Sequence, residues 1–263
     1  MRITTWNINS VRLRLPLAMK LIEELQPDVL CLQETKVNDA KFPRAAFAEA
    51  GYVHQQIHGQ NGYHGVATLS RLPLDGLETH DWGGYGHARH GVCRLPGGIE
   101  LHNLYVPSGG DVPDPDSNDK FAHKLDFLAH MRKHFAALRD PARKLIVLGD
   151  LNIAPLEHDV WSHKQMLDVV SHTPIEVDGL TKWREDGGFI DTCRCFVPED
   201  EKLFSWWSYR ARDWRASNRG RRLDHIWITP ALAPGLRAAT ILSDARGWER
   251  PSDHVPVSVD LDV

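Results

Sequence analysis

The chain alternates short apolar runs with segments of helical periodicity. Apolar runs of about four to eight residues, rich in valine, isoleucine and leucine and closed by polar or turn-forming residues, are typical of strands. Such runs predict strands at residues 2–8, 28–34, 64–70, 99–106, 144–150, 222–229 and 255–261. Many strands with fewer helices favour a single domain over residues 1–263, with two sheets packed face to face and helices outside.

Helical spacing predicts three helices. The segments 11–26 and 39–50 have apolar residues three or four positions apart. The clearest helix follows the cap signal at Asn118, because apolar residues recur at that spacing after it. We interpret this apolar stripe as core. Two other segments, 107–118 and 179–188, are rich in turn-forming residues and predict long surface loops.

Composition and charge exclude some classes of protein and leave others open. A hydrophobic content of 42% with 25% charged residues is typical of a globular protein. No apolar run approaches the roughly 20 residues that cross a bilayer, and the first residues lack the features of a signal peptide. We therefore expect a cytoplasmic protein without a membrane partner. A net charge of −4 does not exclude nucleic acid, since binding depends on where the basic residues lie.

The cysteines are few and scattered. Cys31, Cys93, Cys193 and Cys195 do not form the pattern of a disulfide framework. Cys193 and Cys195 are also too close in sequence for the usual CxxC spacing of zinc or redox sites. We expect four reduced, structural cysteines, in agreement with a cytoplasmic location.

Polar residues suited to metal binding follow three of the predicted strands. Asn7 and Asn9 alternate at the end of the first strand, so their side chains point to the same side. Glu34 follows the second strand, and Asp150 and Asn152 stand two positions apart after a later one. One such residue is common in turns and helix caps. The recurrence at three strand ends indicates a shared site instead.

A hard divalent cation would explain these residues. Mg²⁺ takes oxygen ligands, usually one or two carboxylates, and keeps water positions that phosphate oxygens can occupy. Glu34, Asn7 and Asp253 would form a sparse site of this kind. The chain has no HExxH, GxSxG or P-loop motif, which argues against zinc-hydrolase, serine-hydrolase and nucleotide-binding chemistry.

Hydrolysis of a phosphoester also needs a group that orients the attacking water and donors that stabilise charge on the phosphate. Asp150 is the candidate for the first role. The candidate donors are Asn152, Tyr105 and His254. Asp224 is a candidate partner for His254, because a neighbouring carboxylate raises the pKa of a histidine and fixes its tautomer. The Asp253–His254 turn would then supply a metal ligand and a phosphate donor from one corner.

Six motifs occur in the order WNINS, QETK, YVPSGG, GDLNIAP, RRLDHI and PSDHVPV. In this order they resemble the exonuclease III/AP endonuclease family, which belongs to the endonuclease–exonuclease–phosphatase superfamily with DNase I. The resemblance runs from Asn7 to the last predicted strand. It implies a four-layered α/β sandwich, in which two mostly antiparallel β-sheets carry helices on their outer faces.

The resemblance also implies an activity and a substrate. It implies a Mg²⁺-dependent DNA repair nuclease, with Mn²⁺ as a substitute metal. Nothing in the sequence demands more than a monomer. The implied partner is double-stranded DNA with abasic sites or blocked 3′ ends. The implied reactions are incision 5′ to the abasic site, 3′→5′ exonuclease cleavage and 3′-phosphatase cleavage.

The resemblance assigns roles within the site. The residues that it implies for hydrolysis are Tyr105, Asp150, Asn152, Asp224 and His254. The residues that it implies around the metal are Asn7, Glu34, Asp150, Asn152, Asp253 and His254. Glu34 is implied as the main ligand, and Asp150 as the carboxylate that activates water or serves the leaving group. One metal ion and two metal ions both remain open.

A basic and aromatic tract at residues 205–224 indicates nucleic-acid binding by its own chemistry. It contains six arginines and the aromatic residues Trp206, Trp207, Tyr209 and Trp214. Arginines neutralise phosphates, and aromatic rings stack on bases or wedge beside them. We interpret Trp207 and Trp214 as core residues instead.

The resemblance adds specific DNA contacts. It implies that Trp206 and Leu223 form walls of a pocket for an extruded abasic sugar. Arg221 stands at a pocket position where some relatives have tryptophan. The residues that match positions in contact with the DNA backbone are Arg12, Lys36 and Tyr63.

The chain departs from the family pattern in three further places. Asn9 stands where some relatives have aspartate, which removes one acidic ligand. The loop after Ser108 is acidic, which should weaken its contact with DNA. Residues 153–173 contain no asparagine, although relatives place phosphate-contacting asparagines there. The candidate substitutes are His158, His163, Gln165 and His172.

Two alternative functions remain. A phosphatase that acts on a small or lipid phosphoester would share the fold, but the arginine-rich tract and the lack of a membrane-binding stretch count against it. A catalytically silent DNA-binding module would lack some of the acidic residues, and none is missing.

Overall fold

The computed structural model describes residues 1–263 and is built on two six-stranded sheets. The strands are β1 (Arg2–Asn7), β2 (Val29–Gln33), β3 (His54–His58), β4 (Val66–Ser70), β5 (Asp75–Thr79), β6 (His90–Leu95), β7 (Ile99–Tyr105), β8 (Leu145–Asp150), β9 (Ile190–Asp191), β10 (Trp206–Trp207), β11 (Gly220–Arg221), β12 (Asp224–Ile228), β13 (Leu236–Ile241) and β14 (Val257–Leu261). The α-helices are α1 (Leu15–Leu25), α2 (Arg44–Glu49), α3 (Asp119–Ala137), α4 (His163–Met166), α5 (Pro174–Gly187) and α6 (Trp214–Ser217). Short 3₁₀ helices are at Asp39–Lys41, Pro96–Gly98, Glu157–Asp159, Cys193–Cys195, Pro230–Gly235 and Ser243–Gly247.

The two sheets share one plan. The first has the order β13-β14-β1-β2-β4-β3, and the second has the order β5-β6-β7-β8-β12-β9. Each sheet has a single parallel pair, β1 with β2 and β7 with β8, and every other pair is antiparallel. Parallel neighbours need a crossover connection, which α1 and α3 supply. The prediction of two mostly antiparallel sheets is confirmed.

Three apolar layers hold the sheets and helices together. Ile3, Val29, Leu101 and Ile226 belong to the central cluster, where the inner faces of the two sheets meet. A second cluster lies under α1 and α2, and a third lies between the other sheet and the packed helices α3 and α5. Helix, sheet, sheet and helix therefore follow one another, as the four-layered sandwich predicts.

The prediction of a surface loop at 179–188 is wrong, because most of this segment belongs to α5. Thr173 and Glu176 form a capping box at the start of α5, and Pro174 occupies the first turn, where its missing N–H costs nothing. The buried face of α5 is narrow, with Leu180 and Trp183 as its main apolar side chains. Because this apolar stripe is short and lies among glycines and charged residues, the sequence pattern of α5 is similar to that of a surface loop.

The other helix boundaries differ from the prediction for simple reasons. The helix expected from residue 11 begins at Leu15, so that Pro16 falls in its first turn. The segment 39–50 divides into a 3₁₀ turn and α2, with Pro43 as the residue before α2. No helix combines the length and apolar character required to pass through a bilayer. All four cysteines are free, and Cys195 is the exposed one.

A fully buried ion pair joins α3 to α5. Lys124 Nζ lies 2.5 Å from Glu176 Oε1, and neither side chain is exposed. The same ammonium group donates to the carbonyl oxygens of Asn152 at 2.8 Å and Ser108 at 3.2 Å. Glu176 in turn accepts hydrogen bonds from the backbone of Ser171 at 2.9 Å. The pair therefore fixes the loops after β7 and β8.

Lys124→Met is expected to destabilise the fold by about 3–5 kcal/mol, because it leaves the carboxylate of Glu176 buried without a partner. Urea unfolding followed by circular dichroism measures this change. The double variant Lys124→Met/Glu176→Gln should recover part of the loss, since no uncompensated charge remains. A single variant as stable as the wild type would show that this ion pair does not hold the helices.

Candidate active site

Strand register brings the predicted residues to one edge of the molecule. In the second sheet, Asp150 at the end of β8 lies opposite Tyr105 of β7 on one side and Asp224 of β12 on the other. In the first sheet, Asn7 ends β1 beside the end of β2, and Glu34 follows β2 directly. The polar residues therefore face one another where the two sheets meet.

The side chain of Asn7 connects the two sheets. Its Nδ2 donates to Glu34 Oε1 at 2.9 Å and to Asp150 Oδ2 at 2.8 Å, and it lies 3.4 Å from His254 Nε2. Asn7 Oδ1 accepts the backbone N–H of Asn9 at 3.1 Å, which holds the amide in this orientation. Two carboxylates thus converge on one buried amide.

Glu34 remains ionised in this environment. Tyr105 OH donates to Glu34 Oε1 at 2.8 Å, and Lys36 Nζ lies 2.8 Å from Oε2. Burial alone would raise the pKa of Glu34, but the charge of Lys36 and hydrogen bonds from Asn7, Lys36 and Tyr105 lower it to about 2. The carboxylate is charged throughout the neutral range and can bind a cation.

A tight turn after β8 positions Asp150 and Asn152. A Cβ atom at Gly149 would lie 1.9 Å from the carbonyl oxygen of Leu104, and φ there is 135°, so only glycine fits. Asn152 donates its backbone N–H to Asp150 Oδ1 at 2.9 Å and its Nδ2 to Oδ2 at 3.0 Å. Burial raises the pKa of Asp150, which makes this carboxylate a better proton acceptor than an exposed one.

His254 and Asp224 form the predicted pair. Asp224 Oδ2 lies 2.9 Å from His254 Nδ1 and also accepts a hydrogen bond from Ser205 Oγ at 2.6 Å. The other ring nitrogen, Nε2, lies 3.6 Å from Asp150 Oδ2. Burial would lower the pKa of His254, but the charges of Asp224 and Asp150 outweigh it and raise the pKa. The histidine is therefore a cationic donor directed toward Asp150.

Asp253 lies on the other side of this turn. Its carboxylate accepts hydrogen bonds from Asn9 Nδ2 at 3.1 Å and from Trp206 Nε1 at 3.0 Å. No ion pair or hydrogen bond joins it directly to Glu34 or Asn7, so the structure does not assemble that predicted trio by direct contact. Asp150, Asp224 and His254 each offer a ligand atom, and these three atoms lie within 4.8 Å of one another. A metal-binding role for Asp253 remains a prediction.

Trp206, Arg221 and Leu223 lie together, and their role as pocket walls remains a prediction. Trp206 is partly buried against a small apolar cluster that includes Leu223. The guanidinium of Arg221 lies 4.9 Å from the centre of the Trp206 ring and donates to Ser171 Oγ at 2.9 Å. The guanidinium of Arg221 therefore makes a cation–π contact with Trp206.

The other residues with a predicted DNA contact are at least partly exposed. Tyr63 is 70% exposed, Arg12 is exposed, and Lys36 is half-buried beside Glu34. Trp207 is buried, as predicted, with Trp214 packed edge-on at a ring distance of 5.2 Å. Trp214 is only half-buried, so it lies at the edge of the core that was predicted to contain it.

The sequence did not predict the contacts that three further residues make with the site. Ser205 binds Asp224, Lys124 holds the Asn152 carbonyl, and the guanidinium of Arg89 lies 4.6 Å from the Tyr105 ring centre. Each comes from an element remote in sequence from its partner. A close contact of this kind can be found only from the folded chain.

Comparison with known proteins identifies the class. A model of the Endonuclease/Exonuclease/phosphatase family matches residues 4–254, so the chain belongs to that family. Exodeoxyribonuclease III of Haemophilus influenzae is 31% identical over 98% of each chain. Sequence and fold together make this protein a phosphodiester hydrolase of the nuclease branch of the family.

Two solved structures are similar over the whole chain. An AP endonuclease from Archaeoglobus fulgidus superposes with a TM-score of 0.92, 31% identity and complete coverage of both chains. The 3′ phosphatase NExo from Neisseria, bound to a product DNA hairpin, superposes with a TM-score of 0.91 and 30% identity, again with complete coverage of both. Both proteins therefore share the fold of this chain over its whole length.

Proposed function

We propose that this protein is a Mg²⁺-dependent DNA repair nuclease that incises DNA 5′ to abasic sites and also cleaves at blocked 3′ ends. One observation carries the proposal. The Asn7 amide draws Glu34 and Asp150 together, while the His254–Asp224 pair faces the same Asp150 oxygen. This arrangement supports a cation site, a proton acceptor and a cationic donor around one position.

The donor chemistry fits a hard cation. The carboxylate oxygens of Glu34 and Asp150 lie within 2.9 Å of a single amide nitrogen, close enough for both to approach one ion. The proposed ligands are Glu34, Asn7, Asp150, Asn152 and Asp253, with Mn²⁺ as a substitute for Mg²⁺. The ligand role that the sequence suggested for His254 is not retained, because both ring nitrogens of the cationic histidine carry protons. When bound, the metal would neutralise charge on the phosphate oxygens.

The side chains supply the remaining chemistry. Asp150 orients the attacking water or serves the leaving group, helped by its raised pKa. His254 donates to the phosphate oxygens as negative charge develops. Tyr105 and Asn152 would also donate to the phosphate by exchanging their hydrogen bonds to Glu34 and Asp150 for it. Asp224 accepts the Nδ1–H of His254 and so fixes the orientation of the protonated ring, with Nε2 toward Asp150.

The surrounding surface suits damaged DNA. Trp206 and Leu223 offer an apolar wall for a sugar that lacks its base, and Arg221 adds a positive charge there. Arg12 and Tyr63, which are exposed, and Lys36, which is beside Glu34, would contact the DNA backbone. One similar protein is an AP endonuclease and another is a 3′ phosphatase, which supports abasic sites and blocked 3′ ends as substrates.

A panel of defined duplexes tests this function. With Mg²⁺, the wild type should cut a duplex with one abasic site immediately 5′ to it, and should release phosphate from a 3′-phosphate end. An intact duplex with blunt, unmodified ends reports the exonuclease activity. Turnover of a small phosphoester with no cleavage of any duplex would contradict the proposal and favour a phosphatase.

A further inference from the structure

Arg221 and Arg222 are consecutive in the chain, but only one of them has a counter-ion. Arg222 is fully buried and pairs with Asp159 and Asp191, each at 2.7 Å. Arg221 is half-buried and forms no ion pair. Burial lowers the pKa of its guanidinium, and the charge of Glu176, which is not within ion-pair distance, opposes this only in part. A cation in this environment favours an anion from outside the chain.

The guanidinium of Arg221 also has unused donors. Only Nη1 forms hydrogen bonds, to the carbonyl oxygen of Val170 at 3.1 Å and to Ser171 Oγ at 2.9 Å. Nη2 has no partner, and Nε is buried without one. A guanidinium presents five N–H donors in a planar fork that suits a carboxylate or a phosphate. The chemistry of Arg221 therefore matches an anionic oxygen ligand.

Ser171 holds Arg221 in place from a strained backbone conformation. Its φ is 90°, in the left-handed region that disfavours residues with a Cβ atom. Its backbone N–H donates to both carboxylate oxygens of Glu176 at 2.9 Å, which glycine would do equally well. Its side chain makes one hydrogen bond, which it accepts from Arg221. A strained serine whose side chain makes this single contact indicates that the contact has a function.

Trp206 connects this arginine to the site of hydrolysis. The centre of its ring lies 4.9 Å from the guanidinium of Arg221, and the two backbones pair between β10 and β11. Trp206 Nε1 also donates to Asp253 at 3.0 Å, and its backbone forms an isolated bridge with His254. The tryptophan therefore spans from the proposed phosphate donor to Arg221.

We propose that Arg221, positioned by Ser171, binds the carboxylate of a 3′-phosphoglycolate end and so favours this blocked end over a neutral abasic sugar. This inference rests on the proposed function. The glycolate and the abasic sugar are each bonded to the scissile phosphorus through the oxygen that does not leave. Only the glycolate carries a negative charge that the cation of Arg221 can bind.

The reaction on this end is the hydrolysis already proposed. Water supplies a hydroxyl to phosphorus and, by way of Asp150, a proton to the departing 3′ oxygen. The bond between phosphorus and that oxygen breaks, which leaves a 3′-hydroxyl on the DNA and releases 2-phosphoglycolate. Arg221 takes no part in the proton transfer, so its contribution is to specificity.

A matched pair of blocked ends tests this preference. One duplex ends in 3′-phosphoglycolate, a second ends in the neutral 2-hydroxyethyl ester of a 3′-phosphate, and a third contains one abasic site. With Mg²⁺, kcat/KM of the wild type should be about tenfold or more higher on the charged end than on the neutral end. Arg221→Gln should lose this ratio and leave cleavage of the neutral end nearly unchanged. The control is Arg237→Gln, whose exposed side chain pairs with Asp262 and which should keep the wild-type ratio.

Ser171→Gly separates specificity from stability. Glycine relieves the strain at this φ, so the variant should unfold at or near the temperature of the wild type. Its preference for the charged end should nevertheless fall, because Arg221 loses its Oγ partner. If thermal unfolding shows that Arg221→Gln does not fold, Ser171→Gly decides the question.

Equal cleavage of the two blocked ends by the wild type would overturn this inference. A wild-type ratio in a folded Arg221→Gln variant, or in Ser171→Gly, would overturn it as well. A wild type that cleaves neither the blocked ends nor the abasic duplex would refute the proposed function instead.

Discussion

Asp150→Asn is expected to lower the rate of DNA incision by about 10²–10⁴-fold, the range of general acid–base catalysis. Asparagine keeps the size of the side chain and can still accept the backbone N–H of Asn152. It cannot accept a proton, and its new amide would face the amide of Asn7, which now donates to Asp150. The loss should therefore appear in the chemical step.

Single-turnover incision of an abasic duplex measures this step, and DNA binding measured separately should change much less. Asp178→Asn is a suitable control, because Asp178 is an exposed residue of α5 that pairs with Lys182. Incision by Asp150→Asn within tenfold of the wild type would assign the proton transfer to another group.

His254→Ala is expected to lower the rate of DNA incision by about 10²–10³-fold. The change removes a cationic donor that stabilises the negative charge developing on the phosphate. Asp224→Asn should also slow the enzyme, because the buried ring of His254 loses its anionic partner at Nδ1. The two residues act as one unit in this account. Adding Asp224→Asn to His254→Ala should therefore cost far less than Asp224→Asn costs alone.

A double-variant cycle on the incision rate measures this coupling. Unfolding curves for each variant separate lost catalysis from lost stability, because both side chains are buried. Independent, additive effects would mean that Asp224 supports the site through Ser205 and the backbone rather than through His254.

The strands that carry the site could be predicted from the sequence because each is a short apolar run that ends in polar residues. The edge strands β3, β5 and β13 could not, since their side chains are half-buried or exposed and alternate weakly. Helix α5 was missed for the related reason that few of its side chains face the core. A periodic apolar pattern arises only where side chains are buried on one face, and few side chains of these elements are buried.

The site itself could be predicted in part. The pairing of Asp224 with His254 follows from the chemistry of a histidine in a buried corner, and the structure contains that contact. The central position of Asn7 and the contacts of Asp253 with Asn9 and Trp206 depend on how the sheets and the 205–224 tract meet. Sequence spacing contains no information on that geometry.

The buried ion pair of Lys124 shows the same limit. Its three partners come from the loops after β7 and β8 and from α5. In the sequence, Lys124 lies within an amphipathic helix and resembles an ordinary surface lysine. Only the packed structure shows that it supports the Asn152 backbone from behind.

The most direct test of the central claim measures metal binding and DNA incision on the same samples. Mn²⁺ binding, followed by electron paramagnetic resonance, would be compared between the wild type and Glu34→Gln, with incision of an abasic duplex measured in parallel. Metal affinity and incision should both fall sharply in Glu34→Gln, and EDTA should abolish incision by the wild type. Unchanged Mn²⁺ binding and incision in Glu34→Gln, or incision by the wild type in EDTA, would contradict a metal-dependent site built on Glu34, Asn7 and Asp150.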